Sequence, residues 1–335
     1  MSSLRSSGGL AKVRCAVVGV GYLGRFHAQK YKALEEVELV GVCDASFERG
    51  KVVAGELAVA PFADYRELKG RVDAVTVAST TRSHYEIAKF FLENGIHVNV
   101  EKPMTVTIEE AEELVRLAGE RNLKLQVGHV ERFNPAVQSA QSKLGVPLFI
   151  ECHRLAPFKP RGVDVDVVLD LMIHDLDVIL SLVKSPVKSV SAVGAPVLTK
   201  FVDIANARIE FESGTVANVT ASRVSQNATR KFRVFQQDQY LSIDFGTGEL
   251  NLTTRMPGVE WRDDQIPLEF DSWSLEKGDA LLAETKAFVH AVRTGEPVVV
   301  GGQDGLVAMR VAMQIQNDIA NRLAKFPPAV VAATR

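Results

Sequence analysis

Three groups of residues in this chain have the types and spacing to do chemistry. In the first, Gly19-x-Gly21-x-x-Gly24 ends an apolar run beginning at Val13, and Asp44 closes the next apolar run, Val37–Cys43, twenty residues after Gly24. Gly19 permits a tight turn, Gly21 lets backbone approach a pyrophosphate, and Gly24 allows close helix–strand packing. A helix opening at Tyr22 and Leu23 offers free N–H groups to phosphates. Asp44 is placed to accept from both hydroxyls of an adenosine ribose, and its charge repels a 2′-phosphate, so NAD is favoured over NADP. The competing reading is a glycine turn without a ligand, with Asp44 or Ser46 capping the next helix. Arg49 is either a solvated helix residue or a cation that softens the preference for NAD.

The second group is Lys102, held before Pro103 directly after the apolar run Val98–Glu101. Proline restricts the residue before it and allows a cis peptide. A cation at the carboxyl end of a buried strand stabilises a developing alkoxide or orders a nicotinamide edge. A lysine that merely snorkels from a strand end is the alternative.

The third is Asp170-x-x-x-His174, whose members share a face if the stretch Val165–Val183 is one helix. An imidazole with a pKa near 6.5 accepts a proton around neutrality, and a carboxylate one turn away orients it and favours its protonated form. Helix pairs of this spacing without a chemical role are common, and Asp175 and Asp177 stand beside these two. One histidine among aspartates is a poor zinc set, so no metal is expected. Arg132 and Asn134, with Arg154 and Lys159 further on, are candidates for substrate contacts, because arginine forks suit the oxygens of a diphosphate. Loop arginines are otherwise usually solvated.

Positioning these groups requires a scaffold, and its elements are legible. Apolar strands read at Val13–Gly19, Val37–Cys43, Ala74–Ala78, Val98–Glu101 and Leu123–Val127, with helices between them. Two helices carry capping boxes, Ser83-x-x-Glu86 before Glu93 and Thr107-x-x-Glu110 before Glu120. Near-continuous apolar strands alternating with amphipathic helices imply a doubly wound parallel sheet, a Rossmann domain spanning 13–128. Ser79 and Thr80 follow its third strand, at the sheet end where such folds bind ligands. Beyond Gly128 the period changes to two. Ala205, Ala207, Ile209 and Phe211 face one way and Asn206, Arg208 and Glu210 the other, and Leu241, Ile243 and Phe245 repeat the habit. The remainder, 129–335, therefore reads as an α/β domain with an open, mostly antiparallel sheet, ending in helices at Glu276–Arg293 and Asp304–Leu323. An open sheet leaves a face and edges to protect, which suits a homo-oligomer.

Composition narrows the function classes. The 335 residues are 46% hydrophobic and 24% charged, with a formal net charge of −2 and no block of like charge. That disfavours nucleic acid or an anionic membrane as a partner. No apolar run is long enough to span a bilayer. The stretch 1–12 is small and polar, reads as a disordered tail, and lacks the apolar segment of a secretion signal. Cys15, Cys43 and Cys152 form no metal-ligand spacing and suit reduced thiols in the cytoplasm.

Four separated motifs resemble one family: the glycine fingerprint, Glu101-Lys102-Pro103, Asp170-x-x-x-His174, and Gly295-Glu-Pro-Val-Val-Val-Gly-Gly-Gln-Asp-Gly305. Together, from about Val13 to Ala320, the chain is similar to the glucose–fructose oxidoreductase, inositol dehydrogenase and MocA family. The resemblance implies an N-terminal nicotinamide-binding domain, a C-terminal sheet domain and an active site in the cleft between them. It also implies Lys102, Asp170 and His174 as the catalytic residues, with Glu101 and His84 near the cofactor. Val127-Gly-His-Val-Glu-Arg-Phe-Asn-Pro-Ala136 and Leu171-Met-Ile-His-Asp-Leu-Asp177 look like the nucleotide-sugar branch, in which C3 of a UDP-linked N-acetylhexosamine is oxidised for lipid A or other surface sugars. A free sugar, inositol or another polyol is the alternative substrate. A dinucleotide-binding regulator without turnover is the alternative class.

Overall fold

The structure, a computed structural model, describes residues 11–159, 165–262, 266–275 and 278–326. The chain forms two compact units, Met1–His129 with Asp279–Leu306, and Val130–Gly278 with Val307–Arg335. Residues 1–10 of the expected tail lie outside the described residues, as do 276–277 at the start of the expected penultimate helix.

In the first unit β1 (Val13–Val18), α1 (Tyr22–Ala33), β2 (Val37–Cys43), α2 (Phe47–Leu57), β3 (Ala60–Phe62), β4 (Ala74–Val77), α3 (Thr81–Glu93), β5 (His97–Glu101), α4 (Ile108–Glu120) and β6 (Leu125–Gly128) alternate along the chain. The strands pair in parallel in the order β3-β2-β1-β4-β5-β6. The winding direction reverses between β1 and β4, and sheets of this order bind ligands beyond the carboxyl ends of the strands at that point. The capping box of α4 forms as expected: Thr107 accepts from the Glu110 N–H at 3.3 Å and Glu110 accepts from the Thr107 N–H at 3.2 Å. The one expected at Ser83 does not form. Thr80 is the N-cap of α3, and the Ser83 hydroxyl, one turn in, donates back to the Thr80 carbonyl at 2.8 Å. Glu86 is drawn off to Tyr65 and Arg66.

The second unit holds α5 (Pro135–Gln141), β7 (Phe149–Leu155), α6 (Ile173–Val183) and the strands β8 (Val187–Ala195), β9 (Ile204–Phe211), β10 (Val216–Ser222), β11 (Thr229–Gln236), β12 (Gln239–Asp244), β13 (Glu249–Arg255) and β14 (Leu268–Ser274). They make one eight-stranded sheet, β14-β13-β12-β11-β7-β10-β9-β8, antiparallel everywhere except where β7 meets β10. The inward residues read from the sequence, Ala205 to Phe211 on β9 and Leu241 and Ile243 on β12, are buried in one core with Met172, Leu176 and Ile179. That core also takes in Ile315 and Ile319 of the last helix. The expected single helix over 165–183 is instead a π-helical turn, Val168–Met172, leading into α6.

The chain then contributes α7 (Ala280–Thr294) to the first unit and ends in α8 (Gly302–Leu323), within which the division between units falls. The sequence assigned all of 129–335 to the second domain. The segment Asp279–Leu306 groups with the first instead, because Phe288 and Val289 of α7 are buried in the core of β1, α1 and β2.

Candidate active site

The loop after β1 is shaped by what a side chain would hit. A Cβ on Gly19, whose φ is +86°, would lie 2.5 Å from the Ser79 backbone beyond β4, and one on Gly24 would lie 1.8 Å from the Gly19 carbonyl oxygen. Both glycines are required by the chain's own packing. Gly21 is not, since a Cβ there meets nothing within 4 Å and its φ of −65° suits any residue. Open space at the middle glycine fits a ligand whose phosphates approach the backbone. Gly21 is also the N-cap of α1, whose first turn has no side-chain cap and no acidic residue, so its positive end is left for an anion. Tyr22 and Leu23 open that helix, exposed.

Asp44 lies beside this loop, 6% exposed. Its Oδ2 accepts the Val20 N–H and its Oδ1 the Ser46 N–H, each at 2.8 Å. Asp44 thus has the turn-forming role weighed against cofactor binding, and it also fixes the glycine loop to β2. Arg49, expected to be solvated or to soften NAD preference, lies with Nε 3.3 Å from Asp44 Oδ1.

At the ends of β4 and β5, Ser79 shares a 2.9 Å hydroxyl–hydroxyl bond with Ser83, and Thr80 holds the N-cap position of α3 without a side-chain cap bond. His84 is 1% exposed, with its ring nitrogens 3.0 Å from the Pro103 carbonyl and 3.1 Å from the Ser79 carbonyl. It lies between the two segments that carry Ser79 and Lys102, where a neutral ring donates to one of the two carbonyls, a buried brace rather than an open wall of a cofactor site. Burial holds its pKa below the ordinary histidine value despite those two carbonyls. Lys102 is half-buried, and the Lys102–Pro103 peptide is cis.

Glu101, expected at the cofactor, turns inward. Its Oε1 lies 2.7 Å from His27 Nε2, and its Oε2 accepts the Lys102 N–H at 3.2 Å. The neighbouring face of the sheet carries a polar row. Thr76, Asn99 and Gln126 are paired in register across β4, β5 and β6, and Tyr31 and Glu284 close it. Sequence reasoning passed over His27 and Glu284. The available signal was a polar residue on the apolar stripe of each helix: His27 beside Gly24, Ala28 and Tyr31, and Glu284 beside Phe288 and Ala291.

In the second unit Asp170 lies in the π-helical turn and His174 in the first turn of α6, both half-buried. Single π-turns of this kind concentrate at functional sites. The competing acids are accounted for elsewhere. Asp175 is bound bidentately by Arg154, at 2.8 Å to each oxygen, and Asp177 by Arg132, at 2.8 and 3.2 Å. Arg154 also reaches Glu131 at 3.0 Å, and Asn134 spans from Glu131 to the N-terminus of α5, where it accepts the Ala136 N–H. The expectation that Arg132, Asn134 and Arg154 present themselves to a substrate diphosphate is therefore not what this geometry provides. Buried carboxylates on α6 demand a cation each, and these arginines supply it. Lys159 is exposed.

Residues 13–129 match the model of an oxidoreductase family with an NAD-binding Rossmann fold, and residues 139–242 match the GFO/IDH/MocA C-terminal domain. The chain is 41% identical over 312 residues to the UDP-N-acetylglucosamine 3-dehydrogenase of Acidithiobacillus ferrooxidans, covering 91% of this chain and 96% of that protein. It is 28% identical to the scyllo-inositol 2-dehydrogenase (NAD(+)) of Bacillus subtilis, over 92% and 95% of the two chains. Among solved structures, GnnA, the UDP-N-acetylglucosamine 3-dehydrogenase from Acidithiobacillus ferrooxidans, superposes with a TM-score of 0.87 at 39% identity, covering 94% of this chain and all of that one. The scyllo-inositol dehydrogenase of Lactobacillus casei with bound NAD(H) and scyllo-inositol shares the fold, with a TM-score of 0.77 at 21% identity over 93% and 98% of the chains. The glycine cradle, the sheet order and these matches agree: the chain belongs to the Gfo/Idh/MocA family of NAD-binding oxidoreductases.

Proposed function

We propose that this protein oxidises the C3 hydroxyl of a UDP-linked N-acetylhexosamine with NAD as the acceptor. The observation that carries the substrate is the 41% identity to a UDP-N-acetylglucosamine 3-dehydrogenase over nearly the whole of both chains, against 28% to an inositol dehydrogenase. Oxidation of a free polyol remains the second reading, on the strength of that latter match. A regulator without turnover would have no use for a lysine, a carboxylate and an imidazole of these kinds.

In this reading Gly19, Gly21 and Gly24 with the start of α1 hold the pyrophosphate, and Asp44 with Arg49 faces the adenosine ribose. NAD, when bound, supplies the hydride acceptor. His174 accepts the proton of the C3 hydroxyl, and Asp170 orients that ring. Lys102 stabilises the negative charge that grows on the same oxygen. The protein acts in the cytoplasm, on a route to amino sugars of lipopolysaccharide. It works as a homodimer or homotetramer through the sheet face opposite the second unit's core, which exposes Val193 and Ile204 on the neighbouring strands β8 and β9 and, at the other edge, Phe270 on β14.

A thermal-shift panel tests the substrate class. With NAD present, UDP and UDP-N-acetylglucosamine are expected to raise the melting temperature, since ligand at a hundredfold over its Kd adds about 2.7 kcal/mol. Stabilisation by inositols with none by UDP would transfer the assignment to polyols.

A further inference from the structure

The first unit contains a cluster of ionisable groups that the mechanism above does not use. His27 of α1, Glu101 at the end of β5 and Glu284 of α7 place a nitrogen or oxygen each within 4.8 Å of one another. His27 and Glu284 are fully buried and Glu101 is 8% exposed. The carboxylate of Glu101 is folded back over its own backbone and held from three sides. His27 bonds one oxygen, the Lys102 N–H bonds the other, and a Cβ on Gly128 of the neighbouring strand would come within 3.0 Å of Cδ and Oε2. A side chain at position 128 would press on this arrangement and require the Glu101 carboxylate to shift. The peptide unit that leads into Lys102 is thereby fixed by a side chain whose other end is anchored on α1.

We propose that His27, Glu101 and Glu284 form one buried acid–base cluster that positions Lys102 for the reaction assigned above, on which this inference rests. Three neighbouring carboxyl and imidazole groups cannot all be charged in such a place. Burial opposes the His27 cation, but the hydrogen bond and charge of Glu101 overcome it and raise its pKa. Burial likewise works against the Glu101 anion, and His27, Lys102 and His84 outweigh it and lower its pKa. Glu284 takes the remaining state. Burial pushes it up to about 8, with Glu101 adding to the shift and His27 and Asn99 opposing it, so it holds a proton at neutrality. Its Oε1 accepts from Asn99 at 3.3 Å, and Thr76 of β4, Tyr31 of α1 and Gln126 of β6 are the other polar side chains of the row. As pH rises through about 8, an ionised Glu284 competes with Glu101 for His27 and loosens the hold on Lys102.

The test uses the full-length protein and the variants His27→Gln, Glu101→Gln and Glu284→Gln, assayed with NAD and UDP-N-acetylglucosamine across pH. Loss of Glu101 or His27 is expected to lower kcat roughly a hundredfold, the scale of an ångström's misplacement, with KM for NAD within about threefold. The double variant should fall no further than the worse single one, as members of one unit do. The ratio of wild-type kcat to that of Glu284→Gln should titrate with one proton near pH 8. A second arm needs no substrate: trace labelling of the Lys102 amine, read by mass spectrometry, should be faster at fixed pH in Glu101→Gln, which has lost a neighbouring negative charge. Absence of turnover by the wild type would count against the sugar assignment and leave the labelling arm to decide the cluster. Should His27→Gln not fold, the two isosteric glutamine variants carry both arms. Unchanged kcat and labelling in folded Glu101→Gln would overturn the proposal, as would a stoichiometric divalent ion lost on Glu284→Gln, which would make the cluster a metal site.

Discussion

Gly21 and Gly24 are both glycines of one fingerprint, yet the structure assigns them different reasons to be glycine. A methyl on Gly24 would sit 1.8 Å from a backbone oxygen, about 1.6 Å short of ordinary contact, and backbone cannot swing aside as a side chain can. Overpacking of this kind costs about 1–3 kcal/mol or more, against a gain of up to roughly 1 kcal/mol from alanine's helix propensity. A net loss of about 2 kcal/mol lowers the melting temperature by roughly 4–8 °C in a domain of this size. A methyl on Gly21 meets nothing, and its cost is that of a poorer N-cap, at most about 1 kcal/mol. It does, however, occupy the space assigned to pyrophosphate. Thermal denaturation with and without NAD, together with NAD titration, separates the two. Gly24→Ala should lose stability, whereas Gly21→Ala should melt within about 3 °C of wild type and bind NAD at least about tenfold more weakly. Native affinity for NAD in Gly21→Ala would mean that the pyrophosphate does not use the space beside Gly21.

Asp44→Asn removes the charge that repels a 2′-phosphate and releases Arg49, so the ratio of NADP to NAD affinity should rise; titration of both cofactors checks it. Arg154→Ala should act on stability, because it strands Asp175 and Glu131, and breaking a buried pair costs about 3–5 kcal/mol; denaturant melts measure this. Glu284 holds a proton in the folded state up to about pH 8 but releases it near its ordinary value when unfolded. The stability it contributes is therefore full in acid and lost as pH rises towards 8, by at most about 1.4 kcal/mol per pH unit, and Glu284→Gln should flatten that slope in urea melts.

The parts of this protein that could be read from sequence are those fixed by local rules. The tight turn from Gly19 to Gly24, the Thr107 capping box and the period-two face of β9 each depend on a few adjacent residues, and the structure forms all three. Most of what was missed depends on partners distant in the chain. Ser83 falls inside α3, whose N-cap residue is Thr80, and its Glu86 is claimed by Tyr65 and Arg66 some twenty residues earlier. Arg132 and Arg154 looked available because Asp177 and Asp175 lie 45 and 21 residues away. Asp279–Leu306 joins the first unit through Phe288 and Val289, and nothing local marks that return. The π-turn around Asp170 has no sequence signature that pattern reading detects. The family resemblance puts Glu101 near the cofactor, but its direction is set by the bonds it makes to His27 and to the Lys102 N–H.

Hydride transfer from C3 of a UDP-N-acetylhexosamine to NAD is read out by incubating the protein with NAD and UDP-N-acetylglucosamine deuterated at C3. Deuterium should appear on the reduced nicotinamide alongside a 3-keto nucleotide sugar, and both should be absent with Lys102→Ala. Reduced nicotinamide without deuterium, or label transferred only from a polyol, would exclude this reaction.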